Sequence, residues 1–161
     1  MLLHRDELYR ILIDGRQSCY VSKCQTYNPY EKSDIYDWHF EKAIDCYRFT
    51  DSYRGFNPYG GVEYIYLLNG SIPIWKCDYV GYVLSNCPVG AHEIYKFLKE
   101  ARGCHLQECR SNLFSDFTYN KGLYCYMLKF EENSNGVLEK VDIYYDGLFV
   151  AQHIASGQLQ K

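Results

Sequence analysis

An internal echo constrains this chain more than any other feature. The stretch Val62-Glu63-Tyr64-Ile65-Tyr66-Leu67-Leu68-Asn69-Gly70-Ser71-Ile72-Pro73-Ile74-Trp75 returns near the C-terminus as Lys140-Val141-Asp142-Ile143-Tyr144-Tyr145-Asp146-Gly147-Leu148-Phe149-Val150-Ala151. Each copy is an apolar, Tyr-rich run, then Asn-Gly or Asp-Gly, then a second apolar run. Asn-Gly and Asp-Gly tolerate the positive φ that a two-residue type I′ turn demands, so each copy predicts a β-hairpin.

The rest of the chain fits around these hairpins. Leu8, Ile11 and Leu12 share one face of a helix expected over about 4–14, with Asp6 and Glu7 in its first turn and Gly15 just past its end. Residues 19–27 read as a strand closed by Asn28-Pro29, and 45–50 as another. Residues 51–61, rich in Gly and Pro, read as a loop before the first hairpin at about 62–68 and 72–82. Ile94, Phe97, Leu98 and Ala101 mark a second helix over 91–102, with Gly103 in the C′ position. Residues 104–120 read as irregular, 123–130 as a strand, and 137–145 with 148–155 as the second hairpin. The expected fold is α+β in one domain, 1–161. Its antiparallel sheet comprises two similar three-stranded meanders, a pseudo-repeat of about 45–82 and 123–157, with helices packed on one face. Two-residue turns at 69–70 and 146–147 would set Glu63 opposite Lys76 and His153 opposite Lys140, with His153 on the wetter face.

Composition removes some functions. A net charge of −3 argues against direct nucleic-acid binding, which needs a basic excess. No apolar run approaches bilayer-spanning length and no signal peptide is recognisable, so the expected location is cytoplasmic, with no membrane contact. The eight cysteines then read as free thiols. The outlier is tyrosine, 18 residues, a side chain enriched at interfaces where one end is apolar and the other wet.

Few motifs carry chemistry. Phosphate-binding loops, nucleophile elbows and His-Glu-x-x-His are all absent. The 51–61 loop offers Asp51 and Arg54, and Glu63 is the lone charge of the first hairpin, for which a cross-strand pair with Lys76 is a sufficient explanation. Cys104, His105 and Cys109 supply three weak candidate zinc ligands, one short of a structural site. No cofactor is expected.

The pattern Asp51-Ser52-Tyr53…Glu63…Gly70…Pro73-Ile74-Trp75…Tyr79-Val80-Gly81 resembles an uncharacterised bacterial domain family whose members occur alone or beside Xre-type helix-turn-helix regulators. The resemblance covers about 30 residues closely and the C-terminal hairpin loosely. It implies a bacterial or phage-borne protein tied to regulation or defence, and no activity. Two functions are expected in competition. One is a protein-interaction module, an inhibitor or regulator, with Tyr27, Tyr30, Tyr36, Trp38, Tyr53 and Tyr59 as anchors for a protein partner, a homodimer being allowed. The other is a small toxin-like hydrolase or transferase acting through Asp51, Arg54 and Glu63. A deep pocket holding those three favours the enzyme; a flat Tyr-rich patch favours the binder.

Overall fold

In the computed structural model, which describes residues 3–160, the echo extends beyond the hairpins to a whole topology. Helix α1 (Arg5–Arg16) runs directly into a π-helical turn (Gln17–Val21). Strands β1 (Glu31–Lys32), β2 (Trp38–Ile44), β3 (Tyr47–Gly55), β4 (Tyr59–Leu67) and β5 (Pro73–Val83) follow. Helix α2 (Ala91–Glu108) then leads to β6 (Phe117–Lys121), β7 (Tyr124–Asn133), β8 (Gly136–Tyr145) and β9 (Leu148–Leu159). The nine strands form one sheet in the order β1-β2-β3-β4-β5-β9-β8-β7-β6, every neighbour antiparallel. Each half is therefore a helix followed by an antiparallel meander, β6–β9 in the second half and β2–β5 with the two-residue β1 added at the outer edge in the first, and the halves join along β5 and β9. No helix among the described residues is long and apolar enough to cross a membrane.

The second turn has the expected chemistry: Asp146 (φ 48°) and Gly147 (φ 76°) both adopt positive φ. The first does not. β4 ends at Leu67 and β5 starts at Pro73, so five residues make the connection. Each hairpin also contains a β-bulge at the equivalent place, between Ile65 and Tyr66 and between Ile143 and Tyr144. An extra residue in one strand shifts the register by one, and a one-residue shift exchanges the faces of a strand. Glu63 consequently lies opposite Cys77, not Lys76, and His153 lies opposite Val141, not Lys140. Ile65 and Trp75 become buried cross-strand partners.

Other expectations about the local structure are corrected too. The 51–61 loop is mostly strand, and only residues 56–58 connect β3 to β4. Residues 19–21, read as the start of a strand, belong instead to the π-helical turn that continues the helix, because Tyr20 packs against both hydrophobic cores and its neighbour Val21 against the first. Both glycines expected to end helices lie inside them. Gly103 is passed without a break to Glu108. Gly15 sits in α1 because the Phe49 ring packs onto it; a Cβ there would come 2.4 Å from Phe49 Cγ. Gly15→Ala is therefore expected to destabilise the fold by about 1–3 kcal/mol through overpacking, outweighing the usual helical advantage of alanine. Urea denaturation checks this; a stabilised variant would refute it.

Two apolar cores flank the middle of the sheet. One gathers Leu8, Ile11 and Leu12 of α1 over Phe49, Ile65 and Trp75. The other gathers Ile94, Phe97, Leu98 and Ala101 of α2 over Tyr126, Leu128, Val141 and Ile143. Arg16 from α1 and Arg102 from α2 both reach Glu139, so the two helices lie on the same face of the sheet. Between them, over β4, β5, β9 and β8, the sheet is covered by polar side chains and open space.

Candidate functional site

The strand register assembles the floor of this space. One rung holds Asp51, Glu63 and Cys77 side by side. The next holds Tyr53, Gly61, Tyr79, Ala155 and Glu139. A third brings Tyr59, Gly81 and His153 together. Glycine in a strand permits close approach by a neighbouring group, and three aromatic side chains use it. A Cβ on Gly61 would meet the Tyr79 ring, one on Gly81 the Tyr59 ring, and one on Gly157 the Trp75 ring, each within 2.6 Å. With no Cβ in the way, each ring leans across the sheet and ends on a polar partner. The Tyr79 hydroxyl donates to Asp51 Oδ1 (2.6 Å), the Tyr59 hydroxyl meets His153 Nδ1 (2.7 Å), and Trp75 Nε1 donates to Glu63 Oε1 (3.0 Å).

The helices complete the site with two arginines. Arg16 grips Glu63 with two donors, Nε to Oε2 at 2.8 Å and Nη2 to Oε1 at 3.1 Å. Arg102 Nη2 donates to Glu139 Oε1 at 2.9 Å, and Arg16 Nη1 lies 3.8 Å from Glu139 Oε2. These four side chains are at most 12% exposed. Two positive and two negative charges balance, which makes their burial tolerable. Burial opposes charge on Glu139, but the two guanidiniums prevail and hold its carboxyl down at about 2. Burial, reinforced by Arg102, pushes His153 down to about 3, so its imidazole is neutral at pH 7.

Asp51 behaves differently. Burial raises its carboxyl to about 6, although hydrogen bonds from Tyr30 (2.5 Å) and Tyr79 (2.6 Å) pull the other way. Cys19 lies against it, Sγ 3.8 Å from Oδ2. Burial and the Asp51 charge push that thiol well above its usual range, so Cys19 is a protonated thiol and no ready nucleophile. Above this floor is a cavity of about 900 Å³, walled by Tyr53, Tyr59, Tyr79, Tyr95, Phe56 and His92, with Lys23, Lys96 and Lys99 also on its lining.

The residues singled out in the sequence divide. Asp51 and Glu63 face the cavity from adjacent strands. Arg54 does not join them; it is exposed, donates to the Ile35 carbonyl and lies over the Tyr36 ring. Of the expected anchors, Tyr30 is buried, Tyr53 and Tyr59 line the cavity, Trp38 and Tyr36 are half-buried, and Tyr27 is exposed. Cys104 and His105 belong to the end of α2 and Cys109 caps it; His105 Nε2 is occupied by the Leu113 carbonyl at 3.0 Å. No metal-holding group of three His, Cys, Asp or Glu occurs among the described residues. Arg16, Lys23, Tyr79, Arg102, Glu139 and His153 are the site residues that sequence reasoning missed. For Glu139 a signal existed: it interrupts the inward alternation Val137, Val141, Ile143 as a charge in a core position.

The family model for a domain of unknown function, DUF5680, matches residues 51–159, more than half of the chain. The chain belongs to that family. No curated protein and no solved structure matches it. The matched segment contains the sheet floor and Arg102, while Arg16, Cys19, Lys23 and Tyr30 precede it.

Proposed function

We propose that this DUF5680 protein binds a small, flat, anionic organic molecule in the central cavity. One observation carries the reading: an aromatic-walled cavity of about 900 Å³ lies over a buried, charge-balanced polar floor. Cavities of roughly 300–1,000 Å³ with mostly apolar walls and a few convergent polar groups are the usual size and make-up of small-molecule sites. Ring faces on several sides suit a planar ligand. Arg16 and Arg102 offset Glu63 and Glu139, whereas Lys23, Lys96 and Lys99 pair with no carboxylate among the described residues and outnumber the remaining acidic groups of the lining, Asp51 and Glu93. That excess favours an anion. The inward use of Tyr30, Tyr53 and Tyr59 supports this reading over one in which the same tyrosines anchor a protein partner.

Calorimetric titration with terephthalate, its neutral diamide and a matched aromatic diamine tests the proposal. The dianion is expected to bind best, and the double variant Lys96→Glu, Lys99→Glu to weaken it by about tenfold or more, the loss of a charge-assisted contact. Equal binding of all three probes, or of none, would refute the reading.

A second reading has one observation in its favour. Asp51, held near 6 between two tyrosine hydroxyls, is suited to proton transfer on a bound molecule near neutral pH. Under that reading Asp51→Asn retains ligand affinity but loses turnover.

A further inference from the structure

Lys23, immediately after the π-helical turn, stands apart from the other lysines of the cavity. Its ammonium is enclosed by three aromatic rings: Nζ is 5.7 Å from the Tyr30 centroid, 5.3 Å from Trp38 and 5.5 Å from Tyr53. It donates to the Tyr53 hydroxyl at 2.8 Å, and no carboxylate pairs with it among the described residues. The chain segment carrying it is fixed, because Lys99 Nζ donates to the Lys23 carbonyl. The side chain also lines the cavity. A half-buried lysine with no anionic partner, packed among ring faces on the wall of a ligand site, is an environment that favours an amine nucleophile.

We propose that Lys23 captures a carbonyl group of the cavity ligand as a Schiff base. The inference rests on the ligand-binding reading above and narrows the ligand to an aromatic aldehyde or ketone bearing an anionic group. The neutral amine adds to the carbonyl carbon, forming the C–N bond as the C=O π pair moves to oxygen. The nitrogen gives up a proton and the oxygen gains one, leaving a carbinolamine. Loss of its hydroxyl with a second proton as water forms the C=N bond, with no oxidation or reduction. Tyr53 is placed to pass the protons. Burial and the Asp51 charge raise its hydroxyl to about 12, so it enters the sequence protonated. Burial lowers the Lys23 pKa from its ordinary value, which raises the share of neutral amine. The protonated Schiff base is again a cation, and the three ring faces that now surround the ammonium would stabilise it by cation–π attraction.

The test uses the full chain, 4-formylbenzoate and sodium cyanoborohydride at neutral pH, with adducts mapped by peptide mass spectrometry. The borohydride reduces the iminium to a stable secondary amine. Lys23 is expected to be modified about tenfold or more faster than Lys96 and Lys99, the help expected of a positioned proton carrier. Lys23→Arg, which keeps a cation among the rings, should lose the fast adduct at unchanged melting temperature. Tyr53→Phe should slow it, and excess terephthalate should protect it. Modification of Lys23 no faster than Lys96 and Lys99 overturns the proposal. If terephthalate binds while Lys23 stays unmodified, the amine role fails and the cavity reading stands. If Lys23 is modified fast without terephthalate binding or protection, the amine role stands and the anion-binding reading fails.

Discussion

Glu139→Ala is expected to destabilise the fold by about 3–5 kcal/mol, the cost of leaving buried charge without its partner. Glu139 is the only carboxylate paired with Arg102 among the described residues, and it also lies near Arg16. Its removal leaves a buried Arg102 guanidinium without its anion. For a chain of this length that corresponds to a fall in melting temperature of roughly ten degrees. Glu139→Gln should fall between parent and alanine variant, since an amide oxygen still accepts from Arg102 but carries no charge. An exposed pair supplies the contrast. Lys76 and Asp78 are 3.0 Å apart but 40% and 61% exposed, so Asp78→Ala should change stability by less than about 1 kcal/mol. Urea denaturation of the three variants decides the matter. A Glu139→Ala loss no larger than that of Asp78→Ala would mean the buried ion pairs are absent in solution.

Acidification is expected to weaken the protein well before its carboxylates as a class are neutralised. His153 has a native value near 3 against an ordinary 6.5. Between those limits the unfolded chain accepts a proton that the native site, facing Arg102, Arg16, Glu139, Tyr59 and Tyr79, refuses. Stability contributed by neutral His153 is full above pH 6.5 and declines as pH falls toward 3, on the order of 5 kcal/mol in all. His105, lowered to about 4 chiefly by burial, acts in the same direction. Glu139 joins them below its ordinary 4.5, because its native carboxyl stays ionised down to about 2. Asp51 opposes the trend: its native carboxyl takes up a proton near 6, so its contribution improves as pH falls from about 6 to 4. Denaturation midpoints measured stepwise from pH 7 to 4 should therefore fall. His153→Gln should flatten the decline and Asp51→Asn should steepen it. A parent midpoint that is constant over this range would contradict the burial of a neutral His153.

Hydrophobic alternation and turn chemistry made the sheet readable. The pattern around Asp146-Gly147 specified its turn, and the period of Ile94, Phe97, Leu98 and Ala101 specified the start of α2. The bulges were not readable, because a bulge at Ile65/Tyr66 or Ile143/Tyr144 leaves composition unchanged while moving every partner beyond it. That displacement alone misplaced Glu63 and His153, and with them most of the site. Helix glycines misled for a related reason: Gly15 answers to the Phe49 ring, a contact distant in sequence. The arginines were hidden because a helix that buries one face of leucines gives no sign that its last residue, Arg16, turns toward the sheet.

The charges at the junction of the two meanders divide evenly between the two halves. Arg16 and Glu63 belong to the first helix–meander unit, Arg102 and Glu139 to the second, and each couple is neutral by itself. Neither half closes the cavity alone, so the chamber and its paired charges exist only once the two meanders have joined along β5 and β9.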